Sequence, residues 1–252
     1  MRPLPWLDPV RLDFPPAEDA FEEPPGLLAA GGDLRPERLE RAYALGIFPW
    51  YEDGNPILWW CPSPRAVIRP HELHVGRSLR KRLRRRDYRV TMDQAFEEVI
   101  LACAGPRDGA RGTWITDGMI DAYLALHARG SAHSVEVWMD GELAGGLYGV
   151  GLGRCFFGES MFTHRTDASK IAFVHLLGQL ALWDFPLVDC QMPNPHLDRL
   201  GVGTMDRAPF LDEIADLVQQ TAPPVPWRMT YAWPDAAEGT GPDPASNASH
   251  PD

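Results

Sequence analysis

The second half of the chain is patterned for β-strands. From Ala132 onward, apolar and polar residues alternate with a period of two in the stretches HSVEVWM and ELAGGLYGVGL. These stretches flank Asp140-Gly141, a dipeptide typical of a tight hairpin turn. The stretch RCFFGE, which ends at Glu159, supplies a third strand. The pattern therefore predicts an antiparallel meander of three strands.

Helical spacing of apolar residues marks several other segments. Pro36 suits the first turn of a helix, and Gly46 suits its end. Further helices are predicted over the basic stretch GRSLRKRLRRRDYR, at residues 94–104, 117–129 and 168–183, and in a short segment opened by Asn194 or Pro195 and closed by Gly201. Additional strands are predicted at residues 57–60, in YRVTMD and at residues 186–191.

The order of these elements indicates the fold class. Three antiparallel strands followed by a helix, a strand and a second helix are typical of an acetyltransferase-like domain. We therefore predict an α/β (α+β) protein with a small N-terminal α/β domain at residues 1–66, a GNAT-type mixed-sheet domain at residues 67–233 and a disordered tail at residues 234–252. Such folds hold the pyrophosphate of CoA with a glycine-rich turn, whereas the corresponding stretch GESMFTHRTDASK contains a single glycine. The fold thus indicates acyl transfer, while the missing turn argues against CoA.

Composition narrows the setting of the protein. No run in the sequence approaches the roughly 18 apolar residues of a membrane span, and the N-terminus lacks the apolar core of a signal peptide. We therefore expect a cytoplasmic protein that does not contact membranes. The cysteines are far apart in sequence, which predicts neither a zinc site nor disulfides: Cys61, Cys103, Cys155 and Cys190. We expect no metal and no cofactor.

The charge distribution is uneven. The formal net charge is −11, yet eight of the 24 Lys and Arg residues fall within the 13 positions from Arg77 to Arg89. A dense basic patch on an acidic protein favours a local anionic partner such as nucleic acid or phosphate. The alternative is a solvated helix face, although Asp87 is the one acidic residue available in that segment to offset the repulsion.

A lone carboxylate among apolar residues is the first candidate for chemistry. Glu159 stands between Phe156, Phe157, Met161 and Phe162. An ionised carboxylate is costly in apolar surroundings unless a cation or hydrogen-bond donors meet it. Glu159 is either a loop residue that points into water or part of a site that receives a positive charge.

A second candidate follows in the predicted strand at 186–191. Asp189 and Gln191 are two residues apart, so a regular strand directs both side chains to the same face. At the end of the strand they would open into a crevice, where a carboxylate and an amide can hold an attacking amine and a reacting carbonyl. The alternative is a strand end tied to neighbouring backbone by two polar side chains.

A series of longer motifs resembles a known family. The blocks GGDLRPERLERAYALGIFPWY, PILWWCPSPRAVI, GTWIT, HSVEVW, GGLYGV, GESMF, ASK and VDCQ are similar to the signature blocks of the bacterial leucyl/phenylalanyl-tRNA–protein transferases. They occur in that family's order and cover about residues 26–211. The resemblance implies transfer of leucine or phenylalanine, and methionine less well, from aminoacyl-tRNA to proteins that begin with Arg or Lys, which marks them for degradation. A monomer that needs no cofactor is expected.

The resemblance also assigns residues. It implies that Asp189 and Gln191 form the catalytic pair and that Glu159 is an essential acid. The aminoacyl-adenosine end would be bound by Trp50, Trp114, Leu147, Phe156, Met161, Thr163, Leu180 and Val188. The tRNA acceptor stem would be bound by Arg77, Arg80, Lys81 and Arg84. Leu147 and Leu180 differ from the larger or more flexible residues that occur in the family, which leaves the preference among leucine, phenylalanine and methionine open.

Two other functions compete with the transferase. A CoA-dependent N-acetyltransferase would share the predicted fold, and binding of CoA would reveal it. A non-catalytic RNA-binding module would use the basic helix alone, and it would bind RNA without any transfer activity. The missing pyrophosphate turn counts against the acetyltransferase, and a binder would not need Glu159, Asp189 and Gln191 within an apolar pocket. The chemistry of the transferase agrees with the composition, because an aminoacyl ester is already activated and its aminolysis needs neither ATP nor metal.

Overall fold

Seven helices and eleven strands make up the part of the chain that the computed structural model describes, residues 2–105 and 114–234. The strands are β1 (Trp6–Leu7), β2 (Leu27–Gly31), β3 (Phe48–Pro49), β4 (Leu58–Trp60), β5 (Arg65–Ile68), β6 (Arg89–Met92), β7 (Ala132–Met139), β8 (Glu142–Leu152), β9 (Cys155–Thr163), β10 (Leu187–Gln191) and β11 (Gly203–Met205). The helices are α1 (Pro36–Ala44), α2 (Arg77–Arg84), α3 (Phe96–Ala104), α4 (Asp117–Ala128), α5 (Ala168–Leu182), α6 (Pro195–Asp198) and α7 (Arg207–Leu217).

The predicted meander is confirmed as β7, β8 and β9, which pair antiparallel in that order. The third strand is longer than predicted, because its pairing with β8 continues to Thr163 across a bulge at Tyr148 and Gly149. Glu159 therefore lies inside β9. This corrects the prediction that Glu159 marks the end of the third strand.

The meander is part of a mixed seven-stranded sheet with the order β11-β5-β10-β9-β8-β7-β6. Strand β10 pairs parallel with β9 and antiparallel with β5. Helix α5 covers one face of the sheet, and helix α3 packs against the other. The predicted mixed α/β class is confirmed by this arrangement.

The N-terminal residues form a second, smaller sheet with the order β1-β2-β4-β3. One apolar core joins it to the large sheet, since Phe48 and Trp59 belong to the same buried cluster as Tyr148 and Phe157. The predicted boundary between residues 66 and 67 falls inside β5, where the chain enters the large sheet. The division into two domains remains a prediction, and the predicted tail lies outside the described residues except for Pro234.

Within residues 2–105 and 114–234, no helix combines the length and the apolar character that a bilayer crossing requires.

Candidate active site

A cavity of about 610 Å³ opens where β9 and β10 separate. The backbone pairing of these parallel strands ends at Phe157 and Asp189. Beyond that point the strands are joined through side chains, because Gln191 Nε2 donates a hydrogen bond of 2.5 Å to Glu159 Oε1. The separation of two parallel strands thus opens a crevice with a carboxylate and an amide at its base.

Glu159 is held by three hydrogen-bond donors from three different elements. Besides Gln191, the Tyr43 hydroxyl donates to Oε1 at 2.7 Å, and the Tyr123 hydroxyl donates to Oε2 at 2.9 Å. The two tyrosine hydroxyls also contact each other, but each carries a single proton, so neither donates to the other while both donate to Glu159. Tyr43 comes from α1 and Tyr123 from α4, and neither of them lines the cavity.

The surroundings of Glu159 favour its neutral form. Burial raises the pKa of Glu159 to about 7, although the hydrogen bonds from Tyr43 and Tyr123 act in the opposite direction. The nearby charge of Asp189 adds to the increase. Burial likewise raises the pKa of both tyrosines well above its ordinary value, so they remain donors. Near neutral pH, Glu159 therefore changes charge readily and is stabilised as an anion by any cation that reaches it.

Asp189 has a different position from the one predicted. Its carboxylate is fully buried and accepts two hydrogen bonds from Arg65, at 2.8 Å from Nε and 2.7 Å from Nη2. Burial alone would lower the pKa of Arg65, but Asp189 raises it above its ordinary value. Asp189 does not line the cavity, whereas Gln191 does.

A bulge in β10 causes this difference. The pairing of β10 with β5 shifts between Asp189 and Gln191, and Gln191 has a φ of +63°. The backbone N–H of Gln191 donates to Asp189 Oδ1 at 2.8 Å, which holds the bulge in place. The expectation that both side chains open together into the crevice is corrected: Gln191 reaches the cavity, and Asp189 acts on it through the backbone.

Most of the residues assigned to the aminoacyl-adenosine end do line the cavity. These are Trp50, Trp114, Leu147, Phe156, Met161, Thr163 and Val188. Leu180 does not line it, because this side chain of α5 is fully buried in the core. Phe173 and Leu176, which precede Leu180 on α5, provide the cavity wall there, and this corrects the predicted wall.

Three residues of the site were not found from the sequence. Tyr43 and Tyr123 occupy core-facing helical positions, where periodicity alone identifies them only as apolar rings. Their signal is that a buried tyrosine hydroxyl needs a polar partner. The signal for Arg65 is weaker: it is a single arginine next to the apolar run Ala66-Val67-Ile68. An arginine that is buried with such a run requires a buried anion as its partner.

The predicted basic helix is confirmed as α2. Leu79 and Leu83 anchor it in the core, while the four assigned tRNA contacts are exposed: Arg77, Arg80, Lys81 and Arg84. Asp87 pairs instead with Arg82 and Arg85. Within the described ranges, none of the four assigned residues forms an ion pair, although Arg80 Nε donates a hydrogen bond of 2.7 Å to the Val75 carbonyl oxygen.

The mixed sheet and the cavity between its parting parallel strands define an α/β protein with an enzyme-like cleft. The comparisons then identify it: the chain belongs to the leucyl/phenylalanyl-tRNA–protein transferase family. The family model "Leucyl/phenylalanyl-tRNA protein transferase" matches residues 67–215, and the model of that family's N-terminal domain matches residues 32–63.

Relatives of that name extend over most of the chain. The leucyl/phenylalanyl-tRNA–protein transferase of Stutzerimonas stutzeri is 60% identical over 84% of this chain and 94% of its own length. That of Pseudomonas putida is 58% identical over 86% of this chain and 96% of its own length. Among solved structures, L-PGS from Bacillus licheniformis covers 63% of this chain and 51% of its own at 10% identity, with a TM-score of 0.37.

Proposed function

We propose that this protein transfers leucine or phenylalanine, and methionine less well, from aminoacyl-tRNA to the N-terminal amine of proteins that begin with Arg or Lys. Family membership supports the aminoacyl transfer. The choice of a cationic acceptor rests on one observation: Glu159 lies in an otherwise largely apolar cavity with Tyr43, Tyr123 and Gln191 around it. The new N-terminal residue would mark the product for degradation in the cytoplasm.

The reaction exchanges an ester for an amide. The neutral α-amine of the acceptor attacks the ester carbonyl carbon, and a C–N bond forms. The bond between that carbon and the ribose oxygen breaks, and the proton lost by the amine ends on the ribose oxygen. Atoms and charges balance without ATP, because the ester is already activated. What the protein must supply is orientation and stabilisation of charge.

We assign the roles in this reaction as follows. Gln191 is neutral and cannot serve as a strong base, so it orients the reacting groups by hydrogen bonds. Glu159 receives the positive charge of the acceptor. Asp189 holds Gln191 through its backbone N–H, which supports a positioning role.

The rest of the cavity would bind the donor. Its apolar wall, which includes Leu147, Phe156, Met161 and Val188, fits a leucine or phenylalanine side chain. Trp50 and Trp114, at the same cavity, would hold the terminal adenosine by stacking, with Thr163 beside them. The exposed cations Arg77, Arg80, Lys81 and Arg84 of α2 would contact the phosphates of the acceptor stem.

The finer fold assignment belongs to the same proposal. We assign the large sheet to the GNAT type, and the parallel pair β9 and β10 that separates at the cavity supports this assignment. We also propose a monomer as the active unit.

The decisive experiment mixes the protein with leucyl-tRNA and a peptide that starts with Arg, and detects the leucine-extended product by mass spectrometry. We expect product in the presence of EDTA and without ATP or CoA. The same peptide with an acetylated N-terminus is the control and should remain unchanged. A strict requirement for CoA would identify an acetyltransferase, and tRNA binding without any product would identify an RNA-binding protein; either result contradicts the proposal.

A further inference from the structure

A C-terminal segment beyond the family-model match runs behind the cavity. Residues 219–234 follow α7, and Trp227 within this segment is 2% exposed. Its indole ring lies flat on the His133 imidazole, with ring centroids 3.5 Å apart and ring planes inclined by 2°. It also contacts Trp183 and Phe185, which follow α5. The ring is therefore fixed on several sides.

Trp227 also packs behind the wall of the cavity. Its ring centroid lies 6.2 Å from that of Phe156, which lines the cavity. The proposed aminoacyl side chain and Trp227 are thus separated by a single aromatic ring. No described residue of segment 219–234, Trp227 included, lines the cavity, so Trp227 acts on it through Phe156.

Two glycines of β8 make room for this arrangement. A side chain at Gly149 would meet the Phe156 ring at 2.7 Å, and one at Gly151 would meet the Trp227 ring at 2.7 Å. Gly149 and Gly151 are two residues apart and share one face of the strand. Because both residues lack a side chain, the rings of Phe156 and Trp227 can lie next to each other on this face of β8. The stretch GLYGVGL therefore sets the position of Phe156 together with Trp227.

We propose that Trp227 is a specificity-determining positioning residue, which holds Phe156 in place and thereby limits the depth of the amino-acid pocket. This inference rests on the proposed function. When the indole is removed, the space behind Phe156 lets that ring retreat from the cavity. The pocket then becomes deeper, which favours phenylalanine over the smaller leucine.

The test compares the donors phenylalanyl-tRNA and leucyl-tRNA with one Arg-initiated peptide. For Trp227→Ala we expect the ratio of kcat/KM for phenylalanine to that for leucine to rise about threefold or more, a modest change beside the roughly 10- to 200-fold that one methylene group is worth in an apolar pocket. Trp227→Phe, which retains a ring behind Phe156, should keep the ratio close to that of the unmodified enzyme and remains measurable if the alanine variant does not fold.

The matched control is Tyr231→Ala in the same segment. Tyr231 packs on Gly178 and His175 of α5 and does not line the cavity. We expect this variant to lower the melting temperature without changing the donor ratio. An unchanged ratio in Trp227→Ala, or an equal change in both alanine variants, would overturn the inference. If the unmodified enzyme transfers neither amino acid, the proposed function itself fails.

Discussion

The proposed chemistry of this site depends first on Glu159. Glu159 accepts hydrogen bonds from Tyr43, Tyr123 and Gln191, all of which are neutral. In the part of the chain that the structure describes, no Lys or Arg pairs with it, whereas Asp189 nearby has Arg65. A carboxylate held by neutral donors at a cavity is stabilised further when a cation arrives. This is the property that an acceptor beginning with Arg or Lys requires.

Substituting Glu159 by Gln tests this charge directly. The amide has nearly the same shape but carries no charge, so Glu159→Gln should raise the KM for an Arg-initiated peptide at least about tenfold, as expected for loss of one charged hydrogen bond. Binding of a leucyl-adenosine analogue should be unchanged, since its side chain contacts the apolar wall. Steady-state kinetics with varied peptide and direct binding of the analogue provide the two measurements. Near-normal KM and kcat for the peptide would show that Glu159 does not bind the acceptor.

The raised pKa of Glu159 predicts a pH dependence of binding. Below a pH of about 7 the carboxyl is largely protonated and offers no charge to the acceptor. The KM for the Arg-initiated peptide should therefore fall as the pH rises through about 7. Deprotonation of the peptide amine, whose ordinary pKa is about 8, should raise kcat/KM at higher pH in the unmodified enzyme and in the variant Glu159→Gln. In Glu159→Gln the change in KM near pH 7 should be absent, whereas the rise in kcat/KM from deprotonation of the amine should remain.

The raised pKa of Glu159 also predicts how the stability of the protein changes with pH. Burial raises the folded-state pKa of Glu159 from 4.5 to about 7, so between these values the folded protein binds more protons than the unfolded chain. This contribution to stability is present below pH 4.5 and is lost as the pH rises to about 7. Thermal unfolding of Glu159→Gln and the unmodified protein should show the substitution becoming relatively more stabilising across that window. A constant difference in melting temperature would contradict the assigned pKa shift.

At the scale of elements, the periodic patterns in the sequence predicted most of the long strands and helices, but they did not predict a local irregularity within a strand. Alternation identified β7, β8 and most of β9, and helical spacing identified α1, α3, α4 and α5. The bulge in β10 was not predictable from spacing, because it depends on the bond between the Gln191 N–H and Asp189. A two-residue spacing therefore indicated one face for side chains that in fact diverge.

Helix α5 gives a second example. Leu176 and Leu180 are four residues apart, so both lie on the same face of the helix. Periodicity identifies that face but not where the cavity ends along it. The cavity reaches Leu176, and Leu180 lies in the closed core. How far the cavity extends along the helix is set by side chains of other elements, and the local sequence pattern carries no information about them.

The basic helix α2 carries a prediction of its own. If Arg77 and Arg84 contact phosphates, the double variant Arg77→Ala/Arg84→Ala should weaken tRNA binding and reduce the slope of log K against log salt by about one contact per arginine. Turnover at saturating tRNA should be nearly unchanged, because neither side chain lines the cavity. Arg11→Ala, which removes an exposed arginine outside α2, is the control. An unchanged salt slope in the double variant would make α2 a solvated face and place the tRNA elsewhere.

At the scale of the whole molecule, the buried Arg65 of β5 connects the large sheet to the small one. The Arg65 guanidinium lies 4.9 Å from the ring centroid of Phe48 in β3 and 4.6 Å from that of Phe210 in α7. Its charge is compensated by Asp189 in β10. Of the three elements that converge on Arg65, β3 lies shortly before it in the sequence, whereas β10 and α7 lie far after it. The site and the core therefore share one residue pair, because Asp189 also holds the backbone of Gln191.

This sharing predicts that damage to the pair affects the entire protein. Asp189→Asn leaves the Arg65 charge buried without an anion, so we expect the free energy of unfolding to fall by about 3–5 kcal/mol. The small and large sheets have a common core, so circular dichroism and tryptophan fluorescence in urea should shift together in one transition. Asp212→Asn, at an exposed position of α7, is the control and should change stability by less than about 0.5 kcal/mol.

A double variant separates the structural role of Asp189 from its role at the site. Arg65→Met combined with Asp189→Leu removes both buried charges, so much of the lost stability should return. Transfer activity should stay low, because the leucine cannot accept the Gln191 N–H and the bulge that directs Gln191 into the cavity loses its bond. Unfolding in urea and single-turnover transfer on the same preparations provide the comparison. Recovery of activity together with stability would show that Asp189 serves the core alone, and a gain in neither would show that the ion pair is not the source of the loss.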